Sequence, residues 1–299
     1  MKIVFMGTPD FAIPSLRILL NSHHTIEAVV TTPDKERGRG QKLSFTPIKE
    51  FALENKLPVL QPENLKEEGF LENLKEINAD LFVIVAFRIL PPQIFKLPGK
   101  GSFNLHGSLL PKYRGAAPIQ WAIINGEKET GVTTFFLEEK VDTGNIILQE
   151  KLVINDDDNF GTIHDKMSEL GALVVLRTVN LIEEGRVKLL PQDNSSASPA
   201  PKVTRETARI IWERPAEEIH NLVRGLSPYP GAYFEWNSRH IKLFKSSISD
   251  KQLEPGEVYQ TKTEAIIGCR EKSLNLLELQ PEGKKRMSTE EFLRGYSLL

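Results

Sequence analysis

The chain has 299 residues, of which 40% are hydrophobic and 26% are charged, and its formal net charge is −2. This length and composition are typical of a soluble globular protein with one large domain and one smaller domain, each with its own core. The near balance of charge argues against a protein that binds nucleic acid over its whole surface. This net charge is still compatible with a local basic patch that binds RNA.

Cysteine and histidine usage bounds the chemistry. The single cysteine, Cys269, has no partner for an intramolecular disulfide, and the six histidines follow no zinc-binding spacing. We therefore expect a reducing compartment and a reaction without a metal. The first residues, MKIVFMGTP, lead directly into a predicted core strand, and no apolar run approaches the roughly 20 residues of a membrane span. These features predict a cytoplasmic protein with no membrane association, and a bacterial origin fits them.

Strand-like and helix-like segments alternate along the N-terminal part. Residues 2–6 form a short apolar run that ends at Gly7, and Thr8, Pro9 and Asp10 are typical of a helix start. Residues 81–87 are apolar at every position, as in a strand buried between two helical layers. Further strand-like runs are predicted over 26–31, 58–60, 101–106, 130–137 and 145–154, and helices over 48–55, 65–77, 118–125 and 162–184. This alternation predicts a doubly wound, Rossmann-like α/β domain with a mostly parallel sheet.

The composition changes near residue 191. The segment PQDNSSASPAP, residues 191–201, is too rich in Pro, Ser and Asn for a helix and is typical of a linker. Beyond it, a helix is predicted over 215–222, followed by short β-like runs over 232–236, 240–244, 257–260, 265–269 and 274–279. This spacing indicates a small OB-like β-barrel. We therefore predict a catalytic domain over 1–190, a linker over 191–203 and a barrel domain over 204–299.

The stretch FNLHGSLLPKYRG, residues 103–115, carries the main candidates for chemistry. Asn104 and His106 share one face of a strand near its carboxyl end, where ligands bind in open α/β sheets. An asparagine amide can donate to a developing oxyanion, and imidazole exchanges protons near neutrality, so the pair suits acyl transfer through a tetrahedral intermediate. A buried polar pair that only joins strand to loop is the alternative. Asp142 is either a turn former or a third catalytic group beside His106.

Two other mechanisms fit the sequence poorly. No G-x-S-x-G motif surrounds Ser108, and Cys269 lies in the other predicted domain, so direct attack by an external nucleophile is favoured over a covalent intermediate. The turn at residues 7–9 lacks the G-x-G-x-x-G pattern, which disfavours a nicotinamide dehydrogenase.

Basic residues cluster in two places. The loop of residues 32–46 is either a solvated surface loop or a grip for a phosphate backbone. A basic face on an OB-like barrel is a common nucleic-acid platform, although nearby glutamates dilute this signal. The candidates for contact with RNA are Lys35, Arg37, Arg39 and Lys42 in the loop, and Arg205, Arg209 and Arg224 in the second domain.

Several motifs together resemble one family. They are GTPDFAIPSL, TPDKERGRGQKL, NLHGSLLPKYRGAAPIQW, DTGNI, APKVTRETARIIW and RGLSPYPGAY. From end to end the chain resembles the methionyl-tRNA formyltransferases, which belong to the 10-formyltetrahydrofolate-dependent formyltransferases. The NLHGSLLP and DTG elements are shared across that wider group and specify the reaction. The basic loop and the PYPGA segment narrow the acceptor to a tRNA.

The resemblance implies a function and a set of site residues. We expect transfer of the formyl group of 10-formyltetrahydrofolate to the α-amine of initiator methionyl-tRNA, by a monomer that needs no metal. Asn104, His106 and Asp142 are then the catalytic set, and the basic candidates contact tRNA. The folate-binding residues are Ser108, Leu109, Leu110, Pro111, Phe87 and Ile89. Arg88 stands where the family pattern predicts a small residue.

Other functions remain open at this point. The acceptor amine can belong to a sugar nucleotide or a ribotide, because the core motifs are common to these formyltransferases. A folate hydrolase that releases formate is a further option. From a different class, a non-catalytic RNA-binding protein on the same scaffold is also compatible with the fold.

Overall fold

The computed structural model describes residues 1–37, 42–237 and 239–299. Their contacts divide the chain into two compact units. The N-terminal unit comprises Met1–Gly115, Gly131–Leu152 and Asp165–Pro199, and the C-terminal unit comprises Ala116–Thr130, Val153–His164 and Ala200–Leu299. The sequence predicted one continuous domain before the linker, whereas in the structure two internal segments group with the C-terminal residues. Within the described residues, no helix has the length and apolar character required to cross a membrane.

The first part of the chain alternates strands and helices as predicted. A Thr46 side chain accepts a hydrogen bond from the Lys49 amide and caps a helix that starts at Pro47, which is the usual chemistry of a helix start. The elements are β1 Lys2–Gly7, a 3-10 turn Asp10–Ala12, α1 Ile13–Leu20, β2 Thr25–Val30, β3 Lys35–Arg37, β4 Lys42–Ser44, α2 Pro47–Glu54, β5 Val59–Leu60, α3 Glu68–Ile77, β6 Leu81–Val85, α4 Pro92–Phe95 and β7 Ser102–His106.

The middle of the chain adds two long strands and a long helix. These elements are β8 Arg114–Gly115, α5 Pro118–Ile124, β9 Glu129–Phe136, β10 Ile146–Val153, α6 Phe160–Glu183, a 3-10 turn Asn194–Ser196 and β11 Pro199–Ala200. The last two lie within the segment that the sequence predicted as a linker, so part of that segment is folded.

A seven-stranded sheet in the order β10-β9-β7-β6-β1-β2-β5 organises these elements. The neighbours from β7 to β5 are parallel, and β9 is antiparallel to β7. All five residues of β6 are buried, because the strand lies in the middle of the sheet with side chains packed on both faces. On one face, Phe70 and Leu74 of α3 pack with Val4 and Phe82. The structure confirms the predicted α/β class with a mostly parallel sheet.

The C-terminal unit contains a separate antiparallel sheet, as predicted. Its elements are α7 Ala216–Gly225, β12 Ala232–Trp236, β13 Arg239–Ser249, β14 Val258–Gln260, β15 Ala265–Gly268, β16 Ser273–Pro281, β17 Met287–Ser288 and α8 Thr289–Leu293. The strand order is β12-β13-β16-β15-β14, with β17 paired to β16, and the pairs are antiparallel. Ile219 and Val223 of α7 pack into its core with Phe234, Leu274 and Phe292.

The basic segment differs from its prediction. Residues 32–46 were predicted as a polar loop, but β3 and β4 form a short antiparallel hairpin in which Lys35 is opposite Ser44. Arg37 and Lys42 lie on its two strands. Arg39 is outside the described residues.

Candidate active site

Strand β7 places Asn104 and His106 at the carboxyl end of the parallel part of the sheet. Asn104 is opposite Ile84 of β6 and Phe135 of β9, and His106 is opposite Thr133 of β9. Asn104 is half-buried, whereas His106 is only 5% exposed. Because the two side chains share one face of the strand, the sheet brings an amide and an imidazole to the same end of the fold.

The two ring nitrogens of His106 have different surroundings. Nε2 lies 2.9 Å from the backbone carbonyl oxygen of Tyr113. Since a carbonyl oxygen only accepts, Nε2 carries a hydrogen and donates it. Nδ1 faces the Asp142 carboxylate at 3.8 Å from Oδ2, beyond a direct hydrogen bond but within ion-pair distance. Nδ1 is therefore the ring nitrogen available for proton transfer next to a carboxylate.

Asp142 lies in the loop between β9 and β10 in the left-handed backbone region, with φ of 55°. Its Oδ2 accepts a hydrogen bond of 2.9 Å from the Gly115 amide. Two residues later, a Cβ on Gly144 would lie 1.7 Å from the Phe136 carbonyl oxygen, so only glycine fits that position. The DTG sequence therefore makes a tight loop that carries the carboxylate to His106.

A pocket opens beside these groups. Asn104 and Asp142 line it together with Phe87, Arg88 and Ile89. Ile89 is 75% exposed, so its apolar side chain offers a hydrophobic contact at the pocket. The structure thus brings two of the predicted folate-binding residues to two of the predicted catalytic residues.

Arg88, which the family pattern left unexplained, anchors a neighbouring loop. Its guanidinium donates hydrogen bonds to the carbonyl oxygens of Pro62 at 2.7 Å and Glu63 at 3.0 Å. Burial lowers the pKa of the Arg88 guanidinium from its ordinary value. Arg88 therefore joins the pocket wall to the loop that contains Pro62 and Glu63.

The stretch from Ser108 to Pro111 is placed differently from Phe87 and Ile89. Ser108 is fully buried, and its hydroxyl donates to the Lys112 carbonyl oxygen at 2.6 Å. Leu110 is 3% exposed and packs with Phe135. The residues Ser108, Leu109, Leu110 and Pro111 are not among those that line the pocket described above. The stretch supports the loop after His106, and the structure does not bring it to the pocket with Asn104.

Two predicted RNA contacts lie on the surface of the C-terminal unit. Arg205 and Arg209 are exposed. The Arg205 guanidinium lies 2.9 Å from His240 Nε2 and 5.7 Å from the ring centre of Tyr233. An exposed arginine beside an aromatic ring offers both charge and a stacking surface to a nucleic acid. In the N-terminal unit, Lys35 is also exposed.

Arg224 is in a different environment, and its predicted contact with RNA is not supported. Its side chain is 7% exposed. Nε donates to Asn221 Oδ1 at 2.8 Å, and Nη1 lies 3.3 Å from the Asn155 carbonyl oxygen and 3.4 Å from that of Asp158. Burial lowers the pKa of the Arg224 guanidinium. Arg224 therefore has a structural role, because its donors already serve protein carbonyls and an amide.

One further group of titratable side chains lies away from this site. The ligand atoms of His23, His24 and Glu183 all fall within 4.8 Å of one another. The Met1 amino group lies 3.2 Å from both His24 Nδ1 and Glu183 Oε1. Hydrogen bonds from His23 and then from the amino group lower the pKa of Glu183 to about 2, and burial lowers that of His24. The positively charged Met1 amino group therefore occupies the position next to His24 and Glu183 that a metal cation would otherwise take.

The sequence left three contributors to the site unnoticed. Tyr113 and Gly115 act through backbone groups, which bond to His106 and Asp142 and carry no side-chain signal. Gln192 donates to the carbonyl oxygens of Asp142 and Gly144. It lies in the Pro-, Ser- and Asn-rich segment, whose composition indicated only a linker.

The fold and the site agree with a single class of protein, enzymes that transfer a formyl group. A family model described as formyl transferase matches residues 1–179, and one described as formyl transferase, C-terminal domain, matches residues 202–297. The chain belongs to the formyl transferase family.

Individual relatives narrow this class. The chain is 45% identical over 310 residues to the methionyl-tRNA formyltransferase of Bacteroides fragilis, with 100% of this chain and 96% of the relative covered. It is 46% identical over 302 residues to the methionyl-tRNA formyltransferase of Caldanaerobacter subterraneus subsp. tengcongensis, with 100% and 98% covered.

A solved structure shares the fold. It is the N-formyltransferase of Helicobacter canadensis in complex with folinic acid and dTDP-3-aminofucose, with a TM-score of 0.71 and 24% identity. The match covers 94% of this chain and 99% of that chain.

Proposed function

We propose that this chain transfers a formyl group from 10-formyltetrahydrofolate to the free α-amine of initiator methionyl-tRNA, in the bacterial cytoplasm, to give the N-formylmethionyl-tRNA used to start translation. The main observation in support of this proposal is the similarity to methionyl-tRNA formyltransferases along the whole chain, at 45 to 46% identity. The grouping of Asn104, His106 and Asp142 supports it, since it supplies the groups that formyl transfer needs.

The chemistry follows from direct attack. When bound, 10-formyltetrahydrofolate supplies an activated formyl carbon; the amine nitrogen forms a bond to that carbon, and the bond from the carbon to N10 breaks. The Asn104 amide donates a hydrogen bond to the developing oxyanion. His106 Nδ1 handles the proton that leaves the amine and the equivalent proton that N10 gains, so the proton count balances. Asp142, 3.8 Å from Nδ1, stabilises positive charge on the ring.

The position of His106 assists this role in two ways. Its Nε2 is held by the Tyr113 carbonyl, so the ring cannot turn and present the wrong nitrogen. The ring is also nearly buried, so its charge interactions are less screened than at the surface. A catalytic group held in one orientation contributes through positioning as well as through proton transfer.

Residues that hold the two substrates belong to the same proposal. Phe87 and Ile89, in the pocket with Asn104, offer apolar contact to the flat rings of the folate. Arg205, Arg209 and Lys35 are exposed, and their charges would suit contact with phosphates of the tRNA. The same proposal includes three more basic residues of segment 32–46, which are Arg37, Arg39 and Lys42.

The first experiment compares acceptors. Formyl transfer from 10-formyltetrahydrofolate is measured with initiator methionyl-tRNA, elongator methionyl-tRNA, dTDP-3-aminofucose and no acceptor. We expect strong preference for the initiator tRNA. Transfer to the sugar nucleotide would assign the chain to the sugar formyltransferases, and formate release without acceptor would make it a hydrolase. Folate binding with no reaction in any arm would contradict an enzymatic role.

Two variants test the catalytic assignment. Replacing Asn104 or His106 with alanine removes an oxyanion donor or the proton-transfer group, so turnover is expected to fall on the order of 100- to 1,000-fold. Lys128→Ala, a change at an exposed side chain, is the control and keeps wild-type turnover. An active His106→Ala enzyme would refute the mechanism.

A further inference from the structure

We propose that Gln192 is a positioning residue that fixes the Asp142 carboxylate against His106 during formyl transfer. This inference rests on the proposed function, since it assigns a role within that reaction. Gln192 does not itself reach the pocket; it acts through the backbone of the loop that carries Asp142.

The contacts of the Gln192 amide nitrogen carry the inference. Nε2 donates to the carbonyl oxygen of Asp142 at 3.0 Å and to that of Gly144 at 2.8 Å. One amide group thus holds two carbonyls of a turn whose first residue has a φ of 55°. A left-handed aspartate persists only when its surroundings hold it there, and these two hydrogen bonds provide such a restraint.

The Gln192 amide can adopt only one orientation. Its Oε1 accepts from Arg114 Nε at 3.1 Å and from Arg114 Nη2 at 2.6 Å. Rotating the amide by half a turn would face its oxygen to the two loop carbonyls and its NH2 group to a guanidinium, so all four contacts would be lost. Arg114 Nη2 also donates to Asn194 Oδ1 at 2.9 Å, which holds the guanidinium in place.

Arg114 links this network to the other side of the site. Its neighbour Tyr113 accepts from His106 Nε2, and its neighbour Gly115 donates to Asp142 Oδ2. Gln192 therefore joins the segment that holds the imidazole to the loop that holds the carboxylate. In a Gln192 variant, the hydrogen bond from the Gly115 amide to Asp142 Oδ2 would still join the two segments.

The test begins with three variants of the full chain. Gln192→Ala removes the whole amide. Gln192→Glu keeps the shape and the pairing with Arg114 but lacks the NH2 donor. Ser195→Ala is the matched control, because it removes an exposed hydroxyl of the same segment that donates to Asp193 and not to the Asp142 loop or Arg114. We expect both Gln192 variants to lower kcat on the order of 100-fold with the KM for both substrates nearly unchanged, and the control to keep wild-type values.

A double-mutant cycle distinguishes positioning from general stability. If Gln192 acts through Asp142, Gln192→Ala has no further effect on kcat in an Asp142→Ala background. Equal losses in both backgrounds would overturn the inference. The inference would also be overturned if both Gln192 variants had a lowered melting temperature and their loss of kcat disappeared on cooling. Failure of the proposed function is recognised separately, because the wild-type chain would then show no transfer to initiator methionyl-tRNA.

Discussion

Replacing Arg224 with alanine is expected to destabilise the C-terminal unit without a direct effect on RNA binding. The change removes the 2.8 Å hydrogen bond to Asn221 and the two longer contacts to the Asn155 and Asp158 carbonyl oxygens. A hydrogen bond from a charged donor contributes about 1.5 to 3 kcal/mol, and a bifurcated pair at longer distance contributes less. Taking one strong bond and one weak pair, we expect a loss of about 3 kcal/mol in the free energy of unfolding.

Tryptophan fluorescence measures this loss selectively. All three tryptophans, Trp121, Trp212 and Trp236, belong to the C-terminal unit, so their emission follows the unfolding of that unit. With a urea dependence of about 2 kcal/mol per M, the midpoint should fall by about 1.5 M. Arg205→Ala is the matched control: because its side chain is exposed, the free energy of unfolding should stay within about 0.5 kcal/mol of wild type.

The two arginines should also separate in a kinetic assay. Arg205→Ala is expected to raise the KM for tRNA and to leave the KM for the folate unchanged. The change removes an exposed positive charge that can contact tRNA phosphates, whereas the Arg224 guanidinium is buried. A wild-type urea midpoint for Arg224→Ala, together with a raised KM for tRNA, would refute our reasoning. That result would mean that the buried guanidinium becomes accessible to a phosphate.

Three further predictions concern other residues. Gly144→Ala should lower turnover by at least about 10-fold, because its Cβ would meet the Phe136 carbonyl oxygen and displace the catalytic loop; normal turnover would contradict the tight-loop geometry. Burial raises the pKa of the Cys269 thiol to about 11, so a thiol reagent at pH 8 should modify it only after unfolding, with free cysteine as the control. The pKa of Glu183 is lowered from 4.5 to about 2, so its stabilising contribution is present above pH 4.5 and is lost as the pH falls toward 2. Glu183→Gln should therefore flatten the loss of stability in that window, and an unchanged acid profile would argue against the interaction.

The predictable part of the fold rests on strong local patterns. Residues 81–87 predicted a doubly covered strand, and β6 at Leu81–Val85 is buried throughout. Residues 232–236 predicted a strand with the bounds that the structure has. In contrast, the β3–β4 hairpin was missed because its polar side chains give no apolar alternation. The grouping of 116–130 with the C-terminal unit was also missed, since local periodicity contains no information on long-range contacts.

The candidate site divides in a similar way. Asn104 and His106 were predictable together, because period-two alternation places them on one face of β7. The proximity of Asp142 followed only from the family resemblance, and the structure supplies the 3.8 Å approach. The burial of Arg224 could not be predicted, because charge alone does not distinguish an exposed guanidinium from one that is 7% exposed and bonded to carbonyls.

The division of the chain into units has a consequence for dissecting this protein. The chain passes from one unit to the other near residues 115, 130, 152, 164 and 199, so β9, β10 and α6 each begin in one unit and end in the other. A protease cut or a gene truncation at residue 190 would remove Gln192 from the N-terminal unit and leave α5 without the helix α7 that it packs against. A crossover near residue 130, 152 or 164 would therefore interrupt β9, β10 or α6, so recombination between family members should preserve folding only when each of these elements comes whole from one parent.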